Sequence, residues 1–267
     1  MDLLADFAVP LPVTVIAELL GVPEADRHWL HPWSQAIVAM YELSPTAEDE
    51  RKAVQAAIDF PAYLKDLVDH YRRHPHNNLL SDLVQVEEQG DRLTEQELIS
   101  TSVLLLNAGH EATVNTIGNG MLAFFRNPDQ WELLKQDRSL VKNAIEEMMR
   151  YDTPLQFFKR WAMEDVDYKG RTFKKGTQLG FTYGSANHDP AVFSQPERFD
   201  ITRKEKSHLS FGLGTHFCLG APLARVELQV ALDALLERMP NLCLASEDVE
   251  FRKTYVIRGL KSLPVTF

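Results

Sequence analysis

The sequence predicts a mainly α-helical fold with a small β region, an α+β chain. Three observations carry that prediction. Apolar residues recur at helical spacing over most of residues 1–153, short alternating runs between glycines follow over 154–207, and one long segment, about 95–125, has no clearly charged face. With 267 residues, 45% hydrophobic and 25% charged, the chain is long enough to bury a large core, and we read it as one domain spanning 1–267.

In chain order, Pro12 to Leu20 is apolar and stops at Gly21-Val22-Pro23. Pro23-Glu24-Ala25-Asp26 then reads as the acidic first turn of a helix reaching about Tyr41. Ser44-Pro45 opens another, with Ala53, Ala56, Phe60, Leu64, Leu67 and Tyr71 on one face and Arg72, Arg73 and Pro75 at its end. A shorter helix is expected from Asn78 to Glu88, followed by a turn at Gly90-Asp91.

Thr94-Glu95-Gln96-Glu97 fits a capping box and announces the central helix. Being apolar nearly all round, that helix is expected to be covered on all sides. Its Ala108-Gly109-His110-Glu111-Ala112-Thr113 is unusual: Gly109 costs about 0.5–1 kcal/mol relative to alanine, and Glu111 is expensive to bury without a partner or a role. Leu105, Ala108, Gly109, Ala112 and Thr116 share a face and form a shallow trough. Either something lies in that trough, or Gly109 marks close helix packing beside a half-exposed Glu111.

After Asn127-Pro128 come a short helix, about Asp129 to Lys135, and another from Leu140 to Tyr151 carrying Glu147 and Arg150 at i,i+3. Gln156 to Met163, Val166 to Tyr168, Arg171 to Phe173 and Thr177 to Thr182 read as strands, and 187–200 as a turn-rich meander. Residues 208–220 then form a glycine-rich loop that places Cys218 just before an apolar helix, about Ala221 to Met239, and 221–267 closes with short strands from Leu242. A thiolate there faces the free N–H groups of a helix N-terminus, so Cys218 is a candidate ligand or nucleophile. Gly212, Gly214 and Gly220 let the backbone come close to a flat or bulky group.

The formal net charge of −10 argues against broad nucleic-acid binding, and small-molecule chemistry is the default. Two cysteines, Cys218 and Cys243, give no disulfide framework and point to a reducing, cytoplasmic setting, with Cys243 expected as a small core residue. The apolar stretch from Phe7 to Leu20 is interrupted by Glu18 and prolines and follows no basic segment, which argues against a signal peptide or membrane anchor.

Taken together, the motifs resemble the cytochrome P450 haem-thiolate monooxygenases, most closely the soluble bacterial class. Phe211, Gly214, Cys218 and Gly220 match the haem loop F-x-x-G-x-x-x-C-x-G. Ala108, Gly109 and Glu111 match A-G-x-E, Glu147 and Arg150 match E-x-x-R, and Pro196, Arg198 and Phe199 match P-x-R-F. The resemblance implies haem b (iron protoporphyrin IX) with Cys218 as the axial thiolate, and Phe211, Gly212, His216, Gly220 and Arg160 around it, Arg160 and His216 as propionate donors. Ala108, Gly109 and Ala112 would lie against the other haem face. Leu104, Asn107, Leu155, Gln156 and Phe157 would face substrate, and Glu147, Arg150 and Arg198 would form a buried ion network.

The family's threonine after the central acid is Ala112 here, so Glu111 and Thr113, a water or a substrate hydroxyl are expected to supply protons. The resemblance also begins at an internal helix of full-length members. Roughly the first third is missing by that comparison, which would expose apolar surface and strand edges open to self-association. Two functions follow: a monooxygenase inserting one oxygen atom from O2 into a small organic substrate, or a truncated haem-binding scaffold without turnover. Electrons would come from NAD(P)H through a ferredoxin-like donor and its reductase, with Arg203, Lys204, Lys206 and Arg225 as a basic patch that steers an acidic partner. A Cys218–His216 nucleophile is a weaker reading, since two residues apart in one loop is poor geometry for a base.

Overall fold

A computed structural model describes residues 1–88 and 93–267, so the turn expected at Gly90-Asp91 lies outside the described residues. The chain divides into two compact units, Met1–Ile117 with Ser262–Val265, and Gly118–Lys261 with Thr266–Phe267.

In the first unit, α1 (Pro10–Leu20) ends on Gly21, whose φ of 81° is the left-handed cap that a glycine adopts without strain. The helix expected from Pro23 to Tyr41 is three pieces: 3-10 turns at Glu24–Trp29 and Ala39–Tyr41 flank α2 (Leu30–Val38). Pro32 falls in the first turn of α2, where the N–H that a proline lacks would have had no helical partner. The next helix, α3 (Ala47–Arg73), starts two residues later than Pro45, at a capping box in which Asp49 N donates to Thr46 Oγ1 (3.1 Å) and Thr46 N to Asp49 Oδ2 (2.9 Å). Asn78 Oδ1 accepts from Ser81 N at 2.8 Å and opens α4 (Leu79–Glu88).

The long helix α5 (Glu95–Arg126) begins at the expected capping box, with Thr94 N donating to Glu97 Oε2 at 2.8 Å. Val13, Ile16, Leu20, Phe60, Leu64, Leu98 and Leu106 belong to one buried cluster, and Phe60 stacks on Trp33 at 5.1 Å. Contrary to the expectation of cover on all sides, α5 has an open stripe: Leu104 is 57% exposed, and Ala108 and Ala112, each four residues further on, are exposed too. Gly109 lies off that stripe. A Cβ there would sit 2.8 Å from Ile16 Cγ1, so α1 occupies its side of the helix.

In the second unit, α6 (Pro128–Gln136) and α7 (Val141–Tyr151) precede two antiparallel pairs. β1 (Phe157–Trp161) pairs with β4 (Gln178–Thr182), Phe157 opposite Thr182. β2 (Val166–Tyr168) pairs with β3 (Arg171–Phe173) across a turn in which Lys169 and Gly170 both have positive φ. After the short α8 (Tyr183–Ala186), the expected meander leads through the loop to α9 (Ala221–Arg238). Phe124 meets Trp131 and Phe199 edge-on in the core.

Beyond Leu242 the expected strands are shorter than the alternation suggests. Among the described residues they are β5 (Cys243–Leu244) and β6 (Val265–Thr266). The stretch between is a turn-rich excursion closed by Arg252 N to Gly259 O (2.8 Å) and Lys261 N to Glu250 O (2.9 Å). Cys243 is exposed, not a core residue, with Sγ 3.1 Å from Thr266 Oγ1; a two-residue strand is too short to cover its side chain. No helix among the described residues is long and apolar enough to cross a membrane.

Candidate functional site

The thiol loop is pinned by one fully buried side chain. Asn187 Oδ1 accepts from Leu209 N at 2.7 Å, its Nδ2 donates to Ser210 Oγ at 2.9 Å, and Ser210 Oγ in turn donates to the Met149 carbonyl of α7 at 2.8 Å. Replacing Asn187 by alanine strands the Leu209 N–H and loosens this anchor, with an expected loss of about 1–3 kcal/mol in denaturant unfolding. Within the loop, Cys218 N donates to Phe211 O at 2.9 Å, and Gly212 and Gly214 take φ values of 70° and 74°, which a side chain would strain. The Cys218 thiol is free and half-buried, immediately before α9. Around it Leu213, Phe217 and Leu219 are 80, 50 and 85% exposed, an apolar surface that suits a large flat apolar group.

A second anchor is ionic. Arg225 places Nε 2.6 Å and Nη2 2.9 Å from the two oxygens of Glu146, His208 Nε2 is 3.0 Å from Glu146 Oε2, and the Arg225 guanidinium lies 4.6 Å over the Phe211 ring. Burial alone would raise the Glu146 carboxyl, but hydrogen bonds from Arg225 and His208 outweigh it and hold the group at about 2, below its ordinary 4.5. A carboxyl depressed on folding contributes stability that is complete above the unfolded value and is lost as pH falls through the folded one. Stability measured by urea midpoints is therefore expected to fall between about pH 4.5 and about 2, and Glu146→Gln to flatten that fall.

The buried network contains Glu147 and Arg150 as expected, yet its third member is Arg203, not Arg198. Arg150 Nε and Nη2 donate to Glu147 at 2.8 and 2.9 Å, and Arg203 Nε reaches Glu147 Oε2 at 3.1 Å. Arg198 is exposed and contributes its backbone carbonyl, which accepts from both guanidinium groups. Turning that peptide inward to satisfy two cations leaves the Arg198 side chain facing water. Of the expected basic patch, Lys204 and Lys206 are exposed, whereas Arg203 is 7% exposed and committed to Glu147, and Arg225 is committed to Glu146.

Other predicted residues take defined places. Arg160 is half-buried, its guanidinium 4.9 Å over Phe158, and His216 is exposed. Leu155 bridges to Ile257, Gln156 Nε2 donates to Thr153 O at 2.7 Å, and the Phe157 ring fills the space beside Gly180. His188 Nε2 lies 2.9 Å from Tyr151 O. In the first unit, Asn107, Glu111 and Thr113 are all buried. Thr113 is two residues after Glu111, so by helical spacing the two lie on nearly opposite sides of α5. Glu111 has two imidazoles beside it: Oε1 is 3.7 Å from His31 Nδ1 and 3.8 Å from His110 Nε2. Burial pushes His110 down to about 4, only partly opposed by its contact with Leu106 O, so it is neutral at pH 7.

The cytochrome P450 family profile matches residues 24–252. The chain belongs to the cytochrome P450 family. All of it aligns with the biotin biosynthesis cytochrome P450 of Bacillus subtilis (strain 168) at 42% identity, covering 67% of that protein, and with the vitamin D(3) 25-hydroxylase of Pseudonocardia autotrophica at 43%, covering 65%. The crystal structure of P450BioI in complex with hexadec-9Z-enoic acid ligated acyl carrier protein superposes with a TM-score of 0.94 at 41% identity, covering all of this chain and 68% of that one. The chain thus spans about two thirds of the length of its P450 relatives.

Haem is the cofactor of P450s, and the second unit has features that fit it: a free thiol able to ligate, beside an exposed apolar surface and positive-φ glycines. Arg203 was read only as part of a surface patch, and Asn187 and Glu146 gave no signal, because long-range anchors have no period. His31 gave none either, although His110 beside Glu111 in a buried helix was a visible cue that Glu111 has company.

Proposed function

We propose that the chain is a haem-thiolate monooxygenase that inserts one oxygen atom from O2 into a small organic substrate. The observation that carries this reading is the free Cys218 thiol at the start of α9, in a loop whose apolar side chains are left exposed. Haem b, when bound, would supply the activation of dioxygen, which a thiolate ligand would support. The protein's part is to bind, orient and move protons. Cys218 Sγ would ligate the iron, and Arg160 and His216 would donate to the propionates, a task suited to a forked guanidinium and an imidazole. Phe211, Gly212 and Gly220 shape the loop, and Ala108 and Ala112 leave room on α5. Leu104, Asn107, Leu155, Gln156 and Phe157 contact substrate. Glu111 holds and passes protons, together with a water or a substrate hydroxyl, while Glu147, Arg150 and Arg203 hold the fold behind the loop. Electrons arrive from NAD(P)H through a reductase and a ferredoxin-like donor, drawn by Lys204 and Lys206.

Loaded with haem b and reduced under carbon monoxide, the chain is expected to show the red-shifted Soret band of thiolate ligation. An ordinary band would overturn the ligand assignment. Product formation driven by NADPH through a surrogate ferredoxin system tests turnover, and a thiolate-ligated protein that yields no product from any substrate tried would overturn the monooxygenase reading.

A further inference from the structure

Among the described residues, His31, His110 and Glu111 form a group of three ligating side chains whose donor atoms all lie within 4.8 Å of one another. All three belong to the first unit, His31 on α2 and the other two on α5. His110 Nδ1 is 2.8 Å from the Leu106 carbonyl, which fixes the tautomer: Nδ1 carries the proton and donates, and Nε2 is left with its lone pair. That Nε2 is buried, has no hydrogen-bond partner, and lies 3.8 Å from Glu111 Oε1. Two acceptor atoms at that separation are favourable when a proton or a cation is shared between them. A backbone carbonyl holding one imidazole nitrogen so that the other can bind is also how proteins orient metal-ligating histidines.

We propose that His31 Nδ1, His110 Nε2 and Glu111 Oε1 are a binding site for one borderline transition-metal dication, with zinc(II) and cobalt(II) as the class, and that an ion held there takes Glu111 out of the proton path. The geometry supports it. Two metal–ligand bonds of about 2.0–2.2 Å at near-tetrahedral angles hold their outer atoms about 3.3–3.6 Å apart, and never more than about 4.4 Å. The carboxylate oxygen lies 3.7 and 3.8 Å from the two nitrogens, inside that span. The remaining separation closes by rotation of His31, whose side chain is 22% exposed and so has room to turn and leaves a path for the ion. Two imidazoles and one carboxylate suit this class, where magnesium and calcium prefer all-oxygen shells. Asn107 Oδ1, buried and without a hydrogen-bond partner, lies one turn before His110 and Glu111 on the same helical face and can orient a metal-bound water.

The test is a cobalt(II) titration of the full chain, read by visible d–d absorption, with thermal unfolding at each point. One equivalent is expected to bind with a raised Tm, since the ion ties α2 to α5 only in the folded state. Glu111→Gln keeps the shape and removes the charge, and His31→Ala changes a partly exposed residue. Each is expected to weaken binding at least tenfold while unfolding as cooperatively as the parent. The exposed histidine pair His70 and His74 is the rival site, with ring centroids 5.2 Å apart. Absence of d–d bands in the parent overturns the proposal. So does binding that survives in Glu111→Gln and His31→Ala but vanishes in His70→Ala/His74→Ala, or binding with the near-ultraviolet charge-transfer band of a cobalt thiolate.

Discussion

Cys218→Ser is expected to abolish the red-shifted carbon monoxide band while leaving the protein folded. A serine hydroxyl is nearly isosteric with the thiol, and the backbone bond from residue 218 N to Phe211 O at 2.9 Å does not depend on the side chain. The loop's anchors, Asn187 and Glu146, make their bonds to the Leu209 backbone and to the side chains of Ser210, His208 and Arg225, none of which is altered. Circular dichroism and the unfolding midpoint should therefore stay close to those of the parent, with the spectrum alone changing. The ligand assignment fails if the band persists. A variant that unfolds would show the thiol to be a structural residue.

Arg150→Met is expected to cost about 3–5 kcal/mol and to prevent stable folding of the second unit, as read by urea denaturation. The reason is asymmetry. The Arg150 side chain is fully buried and donates to Glu147 and to the carbonyls of Asn187, Pro196 and Arg198. Methionine fills the volume but leaves those acceptors without their donor, and a buried acceptor that loses its partner forfeits its full desolvation cost. Glu147 keeps Arg203 and the Asp200 N–H, so its charge stays partly compensated. Glu147→Gln removes the negative charge and leaves two buried guanidiniums facing each other, and is expected to cost at least as much. If either variant unfolds at the parent's midpoint, the network contributes nothing to stability.

Much of this architecture was legible because it is local. The capping box at Thr94, the amphipathic spacing of α3 and the glycine-bounded strands each depend on residues a few positions apart, and the structure has all of them. The departures arise where a distant partner decides. Arg198 in the meander and Arg203 just after it are both arginines, and only the fold determines which guanidinium turns inward. Gly109 sits on a face shared with Ala108 and Ala112, yet Ile16 takes its side of the helix while the two alanines stay open, a choice made by where α1 packs. The roles of the individual site residues are likewise beyond what spacing can decide; even at Cys218, where a thiol, glycines and a helix start coincide in one short stretch, spacing alone leaves ligand and nucleophile both open.

The meander around 187–200 has little regular secondary structure, and the network explains why it does not need any. Carbonyls of Asn187, Ser194, Gln195, Pro196 and Arg198 all accept from the guanidiniums of Arg150 and Arg203, which replace the ladder bonds that a strand would have supplied. What this segment encodes is a set of carbonyl positions rather than a set of side chains. An exposed side chain such as Val192 is free to change chemically, whereas inserting or deleting a single residue would shift the acceptors on one side of it out of register with two fixed cations. Length, more than composition, is the constrained property of this part of the chain.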